Sequence, residues 1–218
     1  MGKERIRMPT VVVDTGSGNL RSVEKAAETA AEMARGAEAN VVRSSDPDMI
    51  RRASRLILPG QGAFGDCVRA IQGGIGAAVM DFIASGKPLF GICVGLQLLF
   101  EGSDEAPGVR GLGILRGHVR RLQGGANIKI PHMGWNALEF QVPEPPYLGP
   151  ARAENEYFYF VHSYHAVPDE SGVTLATVDY GSNRVTAAVG RDNVFATQFH
   201  PEKSQRAGLA VLTEFFKQ

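Results

Sequence analysis

The sequence predicts an α/β fold: a mostly parallel open sheet with flanking helices, and an antiparallel portion in its second half. Three observations carry that expectation. In the first half, short continuous apolar runs alternate with helix-forming segments. Strands apolar on both faces belong to parallel sheets covered by helices on either side. In the second half, four strand-like runs follow one another closely, the spacing of antiparallel neighbours. The 218 residues can bury a substantial core.

Each element has its own signal. "TVVVD" (10–14) is a buried strand, and "LRSVEKAAETAAEMAR" (20–35) is a helix rich in Ala, Glu, Lys and Leu. "NVVRS" (40–44) is the second strand, followed by a short helix after Asp46-Pro47. "RLILPG" (55–60) is a strand stopped by Pro-Gly, and 64–85 is helical but interrupted at Gly73-Gly74. "PLFGIC" (88–93) is the fourth strand. Residues 157–167, 174–180, 185–190 and 194–200 give the closely spaced strands, and 205–218 is a closing amphipathic helix. Pro143 to Pro146 makes a stiff surface loop rather than a domain boundary. The residues therefore give a single domain.

Composition excludes several function classes. With 44% hydrophobic and 21% charged residues and zero formal net charge, nothing favours a nucleic-acid or membrane-surface partner. The doublets Arg51-Arg52 and Arg120-Arg121 are solvated faces. Only Cys67 and Cys93 are present, so a disulfide framework is not expected and a reducing compartment is. The start "MGKERIRMPT" has no apolar signal region and does not fit the myristoylation pattern. No run approaches the roughly 18 apolar residues of a membrane span. A cytoplasmic protein is expected.

The chemistry gathers at strand ends, where open α/β sheets place their reactive crevice. Gly91-Ile92-Cys93-Val94-Gly95 has the G-x-nucleophile-x-G spacing of a nucleophile elbow, with sulfur in place of oxygen. A helix running on from Val94 beneath the thiol would favour the thiolate. In "QFHPEKS" (198–204), His200 and Glu202 stand two apart at a strand end, so their side chains share a side. A carboxylate beside an imidazole fixes its tautomer, the third-group role of a triad. In "LPGQGAFGD" (58–66), glycines after a strand let backbone N–H groups approach a ligand, and with the N–H of Val94 they would form an oxyanion hole. "DTGSGNLRS" (14–22) lacks the third glycine of a dinucleotide site and the lysine of a phosphate loop. His162 and His165, three apart in one strand, should face opposite sides and not share a metal. We expect no metal and no cofactor.

Elbow "GICVGLQLLF", loop "PGQGAFGD" and terminal "QFHPEKS", in this order, resemble the class I, triad-type glutamine amidotransferases. "DTGSGNLRSV", "PHMGWN" (131–136) and "YFVHSYHA" (159–166) extend the resemblance to the glutaminase subunits of imidazole glycerol phosphate synthase. It runs from about residue 9 onward, leaving 1–8 as an N-terminal extension to a 9–218 domain. The resemblance implies that Cys93 attacks the side-chain amide of glutamine and forms a glutamyl thioester. His200 serves as acid and base, and Glu202 orients it. It further implies glutamine binding by Gly60, Gln61, Gly62, Val94, Gln97, Glu105, Ser163 and Tyr164. Asn19, Met133, Trp135 and Lys203 are expected to face a (β/α)8-barrel cyclase subunit in a heterodimer that receives the ammonia. The chain departs from the family pattern at Gln61, where valine is usual, and at Thr15, where tyrosine is usual. The glutaminase of another synthase is the nearest alternative, but Leu96 stands where anthranilate synthase glutaminases carry His.

Overall fold

The structure is a computed structural model that describes residues 8–16, 19–36, 39–125, 128–154 and 156–217. Its centre is an eight-stranded sheet. Five strands are parallel: β1 (Thr10–Val13), β2 (Val41–Ser44), β3 (Arg55–Gly60), β4 (Leu89–Cys93) and β12 (Val194–Thr197). Their spatial order is β2-β1-β3-β4-β12, and β1, β3, β4 and β12 are buried along their whole lengths. That double-sided burial is what their unbroken apolar sequences require. Beyond β12 the sheet turns antiparallel through β11 (Asn183–Arg191), β10 (Thr174–Tyr180) and β7 (Glu139–Phe140).

The chain passes from β1 outward to β2, then back across β1 to β3. Right-handed crossovers in opposite directions put the connecting helices on opposite faces of the sheet. Helix α1 (Leu20–Arg35) buries Leu20, Val23, Ala27, Ala30 and Ala31, one stripe at helical spacing, and packs against α7 (Gln205–Lys217). Helix α2 (Pro47–Arg52) starts at Asp46, whose side chain caps the N–H of Asp48 at 2.9 Å, and packs against α4 (Ile75–Ala84). The helical stretch 64–85 is divided, as expected, into α3 (Phe64–Ala70) and α4 by two glycines with positive φ.

Two antiparallel ribbons flank the carboxyl ends of the parallel strands. β5 (Gly117–Arg121) pairs with β9 (Tyr164–Pro168), and β6 (His132–Ala137) pairs with β8 (Tyr157–His162). Here the sequence expectation needs correcting: 157–167 is two strands that part at Ser163 and join different ribbons. His162 and His165 thus lie on separate strands. A second correction concerns 194–200, where pairing ends at Thr197 and His200 lies beyond the strand. The third is the helix after the elbow, α5, a single turn at Val94–Gln97. Leu98, Leu99 and Phe100 are fully buried and pack as turns instead of continuing it. A last short helix, α6 (Gly149–Glu154), follows the proline loop. Of the expected extension 1–8, only Met8 lies within the described residues. No single helix among them is long and apolar enough to cross a membrane.

Candidate active site

The carboxyl ends of β3, β4 and β12 lie side by side, and Gly60 is paired with Cys93 across the β3–β4 ladder. Cys93 has φ 54° and ψ −109°, a strained conformation for a residue with a side chain. It follows from the tight turn out of β4, which aims the side chain away from the sheet. The turn is possible because its neighbours are glycines. A Cβ on Gly95 would fall 1.9 Å from the Leu58 carbonyl oxygen, and one on Gly60 would fall 2.7 Å from the Gly95 nitrogen. The elbow and the Gly60 loop are thus packed backbone to backbone.

His200 reaches Cys93 from the other side. After β12, Thr197 Oγ1 donates to the Phe199 carbonyl (3.0 Å), and Pro201–Lys203 forms a 3-10 turn. The His200 N–H donates to the Tyr159 carbonyl on β8 (3.0 Å), and Ser204 Oγ donates to the His200 carbonyl (2.7 Å). Pro201 supplies the fixed φ that starts such a turn. The turn, and not strand alternation, brings His200 and Glu202 together: Nδ1 and Oε1 are 2.8 Å apart, with side-chain exposures of 3% and 0%. The other ring nitrogen is left for Cys93, the neighbour that acts most strongly to raise the imidazole. Burial alone would push this imidazole down, but the charge and hydrogen bond of Cys93, then Glu202, outweigh it and raise it to about 10. An imidazolium is therefore favoured beside the sulfur.

These groups open into a cavity of about 320 Å³, enough for a ligand of amino-acid size. Gln61, Gly62, Val94, Gln97 and Glu105 line it, as do Ser163 and Tyr164 where β8 and β9 part. Glu105 Oε2 accepts the Phe64 N–H at the start of α3 (2.7 Å), which fixes the carboxylate at the cavity wall. Gly60 is not in the lining; it lies beneath, against Val94 and Gly95. The Gln61 side chain accepts the Asn19 N–H (2.8 Å), a tie that valine at this position could not make. Cys67 is fully buried and donates to the Gln61 carbonyl (3.3 Å); burial pushes its thiol up to about 11, so it is no competing nucleophile. Among the described residues no group of three or more His, Cys, Asp or Glu side chains is placed to hold a metal ion.

Lys203, which also lines the cavity, holds Nζ 5.9 Å from the centre of the Tyr159 ring, and Trp135 meets that ring edge to face at 5.9 Å. Trp135 is 46% exposed and Met133 62%. A tryptophan that were simply core would be covered. Sequence reasoning did not assign Tyr159, the residue joining these side chains; the alternation in "YFYF" gave only strand.

It also missed a buried histidine pair. His132 Nδ1 and His162 Nε2 are 3.1 Å apart, and His162 Nδ1 lies 2.9 Å from the Tyr164 carbonyl. That carbonyl can only accept, so His162 donates from Nδ1 and accepts from His132. Burial holds His132 down to about 4 and, with the neighbouring histidines, His162 down to about 3. Free histidine at 6.5 then binds protons in the unfolded chain that the folded chain refuses. Stability should therefore fall as pH drops from about 6.5 toward 4, by up to about 1.4 kcal/mol per pH unit for each histidine. Urea melts across this range should show a flatter slope for His162→Gln than for wild type. An unchanged slope would assign the acid limb to other groups.

The whole fold and sequence agree on one kinship. A family model for glutamine amidotransferase class-I matches residues 11–218. The chain is 46% identical to the imidazole glycerol phosphate synthase subunit HisH of Syntrophotalea carbinolica, over 94% of this chain and 98% of that one. It is 47% identical to the same-named subunit of Thermococcus kodakarensis, over 94% and 97%. Among solved structures, PurLQS from Thermotoga maritima matches with a TM-score of 0.69 at 23% identity, over 95% of this chain and 97% of that one. A crystal structure titled glutamine amidotransferase matches with 0.67 at 23%, over 96% and 100%. The chain belongs to the class-I glutamine amidotransferases.

Proposed function

We infer that this enzyme is the glutaminase subunit of an imidazole glycerol phosphate synthase, acting in histidine biosynthesis. The observation that carries the chemistry is the buried Cys93–His200–Glu202 arrangement at the floor of the cavity. Cys93 attacks the side-chain carbonyl of glutamine, and the N–H groups of the Gly60–Gly62 loop and Val94 receive the oxyanion. His200 gives its proton to the departing ammonia, leaving a glutamyl thioester, and then takes one from the water that releases glutamate. Glu105 faces the ammonium group of the substrate. Gln97 presents its amide oxygen, because its nitrogen is engaged by the Tyr164 carbonyl at 3.0 Å. With His162 also donating to it, that carbonyl is fully engaged, so Tyr164 would contact glutamine through other atoms.

The partner is a (β/α)8-barrel cyclase in a heterodimer, the single domain 9–218 supplies the whole glutaminase, and the complex is cytoplasmic. The surface that supports this pairing is Met133, Trp135 and Tyr159, exposed or half-exposed apolar and aromatic groups that the Tyr159 ring links to Lys203 in the cavity lining, with Asn19 tied to the loop through Gln61. Ammonia leaving the cavity there passes to the partner without meeting solvent. Trp135→Ala should weaken cyclase binding by about 2 kcal/mol or more, a typical hot-spot loss. Glutamine-dependent synthesis should fall with it, while added ammonium salt restores product. Titration against the cyclase, with thermal melting alongside, is the test. Unchanged affinity together with a collapsed melting temperature would remove Trp135 from the interface.

A further inference from the structure

The sulfur of Cys93 has a second polar neighbour that the triad does not include. Gln198 Nε2 lies 3.6 Å from Sγ, within reach of a hydrogen bond to sulfur. Gln198 is completely buried, one residue past β12, and its backbone N–H is held by the Ala187 carbonyl at 2.8 Å. Its side-chain amide has no freedom to turn over, for a reason that can be traced bond by bond. The Tyr164 carbonyl can only accept, so Gln97 must present its nitrogen there (3.0 Å). The same nitrogen lies 3.1 Å from Gln198, which must then offer Oε1 to it. That leaves Gln198 Nε2 facing the sulfur. The reversed amide would set two nitrogens against each other and an oxygen against a thiolate.

We propose that Gln198 is a positioning residue for the nucleophile: its amide N–H holds Cys93 Sγ toward the cavity and supports negative charge on it. The proposal rests on Cys93 being the nucleophile and adds a second donor, independent of His200. It also gives the buried Gln97–Gln198 contact a purpose. A buried amide pair costs desolvation unless every donor and acceptor is used. Here the chain from His162 and the Tyr164 carbonyl through Gln97 uses them and ends on the reactive atom.

The test reads the sulfur directly. Alkylation of Cys93 by iodoacetamide is followed by mass spectrometry over a pH series, in the complete chain, for wild type, Gln198→Met and Gln198→Glu. Methionine keeps the length and loses the donor. Glutamate keeps an acceptor for Gln97 but sets an acceptor against the sulfur. The titratable groups around Sγ are His200 from the turn, with Glu202 behind it, Cys67 from α3, and Glu105, His162 and Lys203 across the cavity, and both variants leave them in place. Cys67 stays unalkylated near neutral pH and serves as the internal control. Gln198→Met should lower the alkylation rate about tenfold at neutral pH and move its half-maximal pH upward, as loss of a hydrogen bond to a charged group requires. Gln198→Glu should move it further. Identical profiles in wild type and either folded variant would overturn the proposal, even if turnover had fallen. The nucleophile itself is checked separately: alkylation at Cys93 must abolish wild-type glutamine hydrolysis, whatever Gln198 does.

Discussion

Cys93→Ser should lower glutamine hydrolysis about 10⁴-fold or more, the scale of removing a nucleophile from a triad, with the fold intact. The serine oxygen fits the elbow but is a far weaker nucleophile than sulfur beside the His200 imidazolium. Glutamate release, assayed with the cyclase present, is the measurement. Cys67→Ser is the companion, expected to stay near wild type. A serine at 67 can still donate to the Gln61 carbonyl that Cys67 now meets at 3.3 Å. Equal losses in the two variants would sink the assignment.

His200→Asn should cost about as much as the loss of the thiol, whereas Glu202→Gln should leave about a hundredfold more residual turnover. Members of a triad fail as a unit, and the orienting carboxylate is the least costly to lose. Its role here is electrostatic as well as steric. Glu202 Oε2 is buried with no hydrogen-bond partner among the described residues, so its negative charge is compensated mainly by the imidazolium. Glutamine at 202 removes that charge and can turn its own N–H toward Nδ1, selecting the wrong tautomer. Near-wild-type turnover in His200→Asn would place the base elsewhere.

What could be read in the sequence follows from how local each cause is. β1, β3 and β4 announce themselves because burial on both faces demands unbroken apolar residues. The elbow is legible because its geometry needs glycines at fixed offsets. β5 and β6 gave no such signal: "GHVRR" and "HMGWNA" are irregular and partly exposed, and each depends on a partner strand distant in sequence. The break at Ser163 is hidden for the same reason, since apolar residues continue on both sides while the two halves join different ribbons. "VFATQFH" ran on as strand because Phe199 is fully buried, although its backbone has left the ladder. Gln198 stands at the head of the "QFHPEKS" motif. Its importance lies in an amide orientation set by Gln97 and Tyr164, which no spacing reveals. Trp135 could not be assigned to core or surface from its type alone, and only its exposure decides.

β12 lies between β4 and β11 in the sheet, yet in chain order it follows every other strand. During synthesis the ribosome therefore delivers Cys93 long before His200, Glu202 and Gln198, the residues gathered around it. Without β12 the sheet would be two parts, β2-β1-β3-β4 and β11-β10-β7, with nothing to hold His200 and Glu202 beside Cys93. The one segment that joins the two parts of the sheet also brings His200 and Glu202 to the Cys93 end of β4, so closing the sheet and assembling the site depend on the same stretch of chain.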